Sequence, residues 1–136
     1  MALTKDRNTL RREGDFVVLP VAAGVRIHLG ALVAVDADGN AVPAASTEGL
    51  RAVGRADEAV DNRDGADGGA KVQVRRGVFL WRNDSALPVT PGMVYQECFI
   101  RDDETVRARD EEAGAANPTA GRVIEVTDDG VWVETR

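Results

Sequence analysis

Apolar and polar residues along this chain follow the two-residue alternation of β-strands, and helical spacing never persists beyond a turn or two. Residues 25–29 alternate strictly, which places Val25, Ile27 and Leu29 on one face of a predicted strand. Residues 71–75 alternate in the same way. The pattern predicts a mainly β protein, built as a small β-sandwich or a partly open β-barrel.

Two stretches share one arrangement: a Gly-headed apolar strand, an acidic turn, a short second strand and another Gly-headed strand. The first copy occupies residues 30–54 and the second residues 92–126. A period of about sixty residues is too long for a solenoid. We therefore expect two β-meanders folded onto one core, with residues 123–134 forming the clearest hairpin.

The distribution of polar residues predicts an arm followed by a single domain. Residues 1–13 are polar and charged, with Leu3 and Leu10 as apolar anchors, and are expected to form a flexible N-terminal arm. Residues 14–136 are expected to form a single β domain. Within it, the Gly- and Asp-rich residues 61–69 are predicted to be an exposed, mobile loop with nothing to bury.

Composition excludes several classes of function. The 136 residues are enough for one domain with a real core. A net charge of −6 argues against nucleic acid as the main partner. The charged start is unlike a signal peptide, and no apolar run is long enough to span a membrane, so we expect a soluble chain made in a cytosol. Cys98 is the only cysteine, which rules out an intrachain disulfide and a thiolate metal cage.

Candidate chemical groups are few, and each has a simpler structural interpretation. Residues 36–40 superficially resemble a calcium loop, but Ala41 and Thr47 stand where the EF-hand needs Gly and Glu, so a hairpin turn is expected. His28, the only histidine, is predicted to be an exposed strand residue. Cys98 is predicted to be a buried structural thiol. No catalytic set and no cofactor or metal site is expected.

The largest apolar side chains have two possible roles. Trp81 and Trp132 are predicted either to join the core or to anchor an interface between subunits. Together with Phe79 they are the candidates for a subunit contact, since the exposed strand edges of a small β domain must be covered or blunted.

Six stretches, taken in order, resemble one protein family. They are residues 12–19, 29–35, 52–59, 72–79, 92–95 and 120–123, and they include a Val-Gly-x-Ala strand and a Val-x-Val-x-x-Gly-Val-Phe strand. With these motifs the chain resembles the capsid decoration, or head cement, proteins of tailed and Mu-like phages.

This resemblance implies a non-enzymatic virion structural protein that is made in the bacterial cytoplasm and stabilises the outside of a capsid. It implies a mainly β subunit that forms a homotrimer, takes the major capsid protein as partner and needs no cofactor. The arm is locally cationic on an acidic protein, which suits contact with an acidic capsid surface. The candidates for that contact are Lys5, Arg7, Leu10, Arg11 and Arg12.

Two other functions remain open at the level of sequence. One is a β module of a phage tail or baseplate. The other is a small ligand-binding or hydrolytic β domain, which would need a large pocket where His28 converges with Asp and Arg side chains.

Overall fold

The computed structural model describes residues 1–136 and is mainly β. It has twelve strands and one short 3-10 turn. The elements are β1 (Phe16–Pro20), β2 (Arg26–Ile27), β3 (Leu32–Val35), β4 (Ala41–Pro43), β5 (Arg51–Ala56), β6 (Val60–Asp61), β7 (Lys71–Arg75), β8 (Gly77–Asn83), the 3-10 turn (Pro91–Met93), β9 (Glu97–Ile100), β10 (Thr105–Arg107), β11 (Thr119–Thr127) and β12 (Gly130–Thr135).

The strands assemble into a sheet and a barrel that divide the chain in half. β1, β3, β4, β5 and β7 form a five-stranded sheet in the order β1-β7-β5-β3-β4. β8 to β12 form a closed barrel in the order β10-β8-β12-β11-β9, and β2 pairs with β6 in a separate two-stranded sheet. Only Arg76 separates β7 from β8. The predicted mainly β class is confirmed, and the barrel is closed.

The two repeated stretches adopt the same strand pairing, although neither is a meander. β3 pairs with both β4 and β5, and β9 pairs with both β10 and β11, so the first strand of each unit is the central one. β4 ends in Pro43, which has no N–H to donate and therefore suits an edge strand. The strand predicted at residues 92–95 is wrong: the 3-10 turn occupies this stretch, and the strand follows as β9.

Two apolar clusters lie on opposite faces of β3, where one shared core was expected. Leu32 and Ala34 belong to the cluster that fills the barrel. Ala31 and Val33 belong to the second cluster, which the five-stranded sheet covers. A strand buried on both faces needs an unbroken apolar run, and residues 31–35 supply one. β3 therefore joins the two halves of the molecule.

Gly54 allows the close strand approach at the centre of the five-stranded sheet. A Cβ at this position would overlap the carbonyl oxygen of Arg75 on β7. Gly54 is also the glycine of the Val-Gly-x-Ala motif, and β3 and β5 shift register beside it. The motif thus has a packing reason, because only glycine leaves room for that oxygen.

Two predicted turns are present as hairpins. The Asp36 carboxylate accepts hydrogen bonds from the backbone N–H groups of Asp38 and Asn40, each at 3.0 Å, and closes the turn between β3 and β4. The C-terminal hairpin closes where Thr127 of β11 pairs with Gly130 of β12. Both predictions are confirmed, and the carboxylate of Asp36 serves the turn.

Two local expectations are wrong. Leu29 does not share a face with Ile27: β2 ends at Ile27, the chain turns, and Leu29 is exposed. The loop at residues 61–69 does bury a side chain, since Asn62 is only 4% exposed. The Asn62 amide donates to the carbonyl oxygens of Val21 and Ala22 at 3.2 and 3.0 Å, which ties the loop to the end of β1.

Candidate functional site

The N-terminal arm stands away from the rest of the chain. Every residue from 1 to 13 is exposed and none belongs to a strand or helix. Leu10 is 87% exposed and belongs to neither apolar cluster of the body. The arm carries four cationic and two acidic side chains, so its own charge is +2. The rest of the chain carries −8, and the two add up to the net charge of −6. The arm and the body therefore have opposite charge.

The three aromatic candidates for a subunit contact lie in different surroundings. Trp81 is 5% exposed inside the barrel, where its ring meets that of Phe79 edge-on at 6.2 Å. Phe79 is half-buried against the same core. Trp132 points outward and is 37% exposed. Trp81 consequently has little surface left for a second subunit, and Trp132 has the most.

Trp132 belongs to an apolar patch on the outer wall of the barrel. Leu80 lies directly across from it on β8, and Val78 is two residues further along the same face. All three are exposed. The sequence alone did not reveal this patch, because residues 78–81 form a continuous apolar run and the alternation is hidden. We call Val78, Leu80 and Trp132 the barrel patch.

A half-buried carboxylate lies where the sheet meets the barrel. Asp57, whose side chain is 15% exposed, lies 3.1 Å from the Arg55 guanidinium and 3.2 Å from that of Arg75. Arg55 in turn covers the Phe79 ring at 5.0 Å, and Arg75 covers the Phe16 ring at 5.7 Å. Cations over aromatic faces are attracted by the ring quadrupole. These ion pairs and cation–π contacts have a structural role.

A cleft of about 680 Å³ opens between β5 and the strands β11 and β12. Arg51, Arg122 and Arg136 reach its walls. Tyr95 stands at its side, exposed, and is the one residue other than glycine with a positive φ, at 66°. Such a conformation is uncommon for a bulky residue. No sequence pattern predicts this arrangement, since the cleft is built from four distant segments.

A second groove, of about 480 Å³, lies at the β4 edge of the five-stranded sheet. Its apolar walls come from β4 and the residues that follow, and include Val42, Ala45 and Leu50. Asp102 and Asp103, from the turn between β9 and β10, stand at one end. Neither carboxylate forms an ion pair within the chain. We call this feature the acidic groove.

The walls of the acidic groove are tied together by hydrogen bonds. The Ser46 hydroxyl lies 3.0 and 2.8 Å from the carbonyl oxygens of Ile100 and Arg101, so it can donate to either. The Leu32 N–H donates to the Asp103 carbonyl oxygen at 2.8 Å. The groove is therefore formed in the single chain. Burial raises the pKa of the Asp103 carboxyl, and the negative charges of Asp102 and Glu104 raise it further.

The remaining candidate groups do not converge. Cys98 is fully buried, as predicted, and burial together with the charge of Glu97 raises the pKa of its thiol to about 12. His28 is exposed, as predicted, but lies beyond the end of β2. It lines neither the cleft nor the acidic groove, but it lies close enough to Asp103 for its charge to lower the pKa of that carboxyl, against the larger effects that raise it. No three His, Cys, Asp or Glu side chains gather closely enough to hold a metal ion.

Comparison with known proteins adds no relative. No protein-family model matches the chain, and neither the curated proteins nor the solved structures give a significant match. Within the structure itself, no helix has both the length and the apolar character needed to cross a membrane.

Proposed function

We propose that this chain is a non-enzymatic phage structural protein that decorates and stabilises the outside of a capsid as a homotrimer. The observation that carries the proposal is the exposed cationic arm on an acidic body. The order of the six motifs supports it, since they resemble those of capsid decoration proteins. A segment without a partner in its own chain gains order, and contact energy, on a second surface.

The arm provides the attachment in this proposal. Exposed leucines on a cationic segment can bury apolar area while their charged neighbours meet an acidic capsid surface. Each exposed ion pair adds at most about 1 kcal/mol, so several weak contacts must act together. A trimer presents three arms to the capsid at once, and binding gains from that multivalency.

The attachment is tested by sedimenting the protein with expanded heads of its own phage. Removing residues 2–8 is expected to abolish co-sedimentation while leaving the thermal midpoint unchanged, because these residues contact nothing in the body. Lys5→Gln/Arg7→Gln is expected to weaken binding, and binding of the intact protein should fall as salt rises. Thr4→Ala/Thr9→Ala is the matched control. Full binding by the truncated protein would refute the role of the arm.

The barrel patch provides a contact between subunits in the proposed trimer. Apolar groups at the centre of a permanent interface lose their exposure on assembly. Leu80→Gln/Trp132→Gln is expected to shift sedimentation toward the monomer, whereas Val18→Gln, at an exposed apolar position on β1, should leave it unchanged. An unchanged trimer in the double variant would show that the patch is not an interface.

The cleft favours a second candidate function, a binding module for a small anion. Its walls carry three arginines beside Glu97 and Glu134, and Arg136 pairs with Glu134 while Arg51 donates to the Asp36 carbonyl oxygen. Arg122 forms no ion pair within the chain, and a guanidinium suits phosphate and carboxylate. Inorganic phosphate should then raise the thermal midpoint of the wild type, and Arg122→Gln should reduce the rise. Absence of any rise at millimolar phosphate would count against this candidate and would leave the capsid proposal untouched.

A further inference from the structure

The acidic groove and the N-terminal arm have complementary chemistry. The groove has apolar walls that end at Asp102 and Asp103, and neither carboxylate has a cationic partner. Near the body, the arm presents an exposed leucine followed by two arginines: Leu10, Arg11 and Arg12. A leucine side chain suits the apolar walls, and a guanidinium suits a pair of carboxylates.

The arm and the groove belong to the first and last strands in the order of the same sheet. The arm enters β1 at Phe16, and the groove lies along β4. The sheet curls, so that Val21, just after the other end of β1, pairs with Ala41 of β4. One cross-strand row connects the two sides through the pairs Phe16↔Arg75, Arg75↔Arg55 and Arg55↔Leu32. Asp103 lies beyond Leu32, on the side of β3 that faces β4.

In the single chain the arm does not occupy the groove. Leu10 is 87% exposed, and Arg11 and Arg12 are exposed and form no ion pair with any carboxylate of the body. Both complementary surfaces of one chain are therefore open to a second molecule.

We propose that the acidic groove binds Leu10, Arg11 and Arg12 of the arm of a second copy of this chain. Each subunit then gives its arm to one neighbour and receives an arm from the other. Such a head-to-tail contact closes into a ring when its rotation is that of a cyclic oligomer. The inference rests on the proposed function for the number of subunits, and it limits the capsid-binding part of the arm to residues 1–7.

Disulfide trapping tests the contact in the absence of capsids. Thr47 lines the groove and is exposed, so Leu10→Cys/Thr47→Cys should link two and three copies under mild oxidation. Leu10→Cys/Asp128→Cys places the second thiol at the tip of the C-terminal hairpin and is the control, for which little linkage is expected. The native thiol does not interfere, because Cys98 is fully buried. A linkage no greater than in the control would overturn the proposal.

Mixing two single variants identifies the occupant of the groove. A tagged Leu10→Cys chain and an untagged Thr47→Cys chain should join in a mixed disulfide. A disulfide formed within single chains of the double variant would mean that the arm binds in cis, and it would overturn the proposal. When expanded heads are added, linkage of Thr47→Cys to the capsid protein in place of the arm would overturn it as well.

Charge reversal provides a second, independent readout. Arg11→Glu/Arg12→Glu is expected to reduce the yield of linked copies about tenfold. Adding Asp102→Arg/Asp103→Arg should restore the yield, because the charges then match again. Lys5→Glu/Arg7→Glu is the control and should change head binding only. Failure of the wild-type protein to bind expanded heads, with linkage between copies intact, would refute the proposed function and leave the groove contact standing.

Discussion

Replacing Asp57 by Asn is expected to lower the free energy of unfolding by about 2 kcal/mol at neutral pH. The carboxylate accepts hydrogen bonds from Arg55, Arg75 and Gln73, and thereby fastens the end of β5 to β7. Hydrogen bonds to a charged group contribute about 1.5–3 kcal/mol each. Both arginine side chains are 42% exposed, so solvent screens their share, and the asparagine keeps one acceptor oxygen; the net loss is therefore about that of a single such bond.

The effect has a defined pH dependence. Burial raises the pKa of Asp57, but the hydrogen bonds from Gln73 and Arg55 and the charges of both arginines outweigh it, so the pKa lies below its ordinary value of 3.8. A depressed pKa in the folded state stabilises the protein above the unfolded value, and the gain is lost as the pH falls through the folded value. The difference between wild type and Asp57→Asn should therefore be full at pH 7 and disappear in strong acid.

Urea unfolding followed by tryptophan fluorescence measures this difference, with Trp81 buried in the barrel as the reporter. Midpoints at neutral pH and at successively lower pH give the change in free energy at each point. Asp128→Asn, in the exposed turn between β11 and β12, is the matched control and should have no effect. Equal midpoints for the two variants, or a difference that grows as the pH falls, would refute the reasoning.

Three further predictions concern the groove, the sheet and the thiol. Burial raises the pKa of Asp103 in the folded state, so the protonated carboxyl stabilises the protein below the unfolded pKa, and this contribution is lost as pH rises. Asp103→Asn should therefore be more stable than wild type at pH 7 and equal to it in strong acid, as measured by the same urea curves. Gly54→Ala should lose about 2–3 kcal/mol because its Cβ overlaps a β7 carbonyl oxygen, whereas Gly14→Ala, with open space around it, should be nearly neutral. With its pKa raised to about 12, Cys98 should react with iodoacetamide only as the chain unfolds; rapid labelling of the native protein would contradict its burial.

The elements that sequence predicts well are those whose cause is local. The turn at residues 36–40 is determined by its own residues, since the Asp36 carboxylate accepts hydrogen bonds from two backbone N–H groups within the next four residues. Residues 71–75 alternate because one face of β7 packs on the core and the other meets Asp57 and solvent. By contrast, residues 25–29 alternate over too short a strand, and the turn after Ile27 exposes Leu29.

The surfaces that matter for function depend on contacts distant in sequence. The acidic groove joins residues 42–50 to residues 102–103, which are brought together by the hydrogen bonds of Ser46 with the end of β9 and of Leu32 with Asp103. Within the barrel patch, Leu80 and Trp132 are far apart in the chain and become neighbours through the β8–β12 register. A sequence pattern reports which faces are apolar, but it does not report which of them meet.

The arm and the acidic groove each carry an energetic cost in the isolated chain. Leu10 is exposed to water without apolar contacts, and Asp103 holds its charge beside two other carboxylates in a partly dehydrated position. Each cost is removed by what the other feature offers: apolar walls for the leucine, and guanidinium groups for the carboxylates. In the single chain the arm stays exposed and both costs remain, whereas in a ring of identical chains each arm fills the groove of a neighbour and both costs are removed in every copy. Asp103→Asn should therefore stabilise the single chain and at the same time weaken association between chains. A carboxylate with no role in binding would give the first effect without the second.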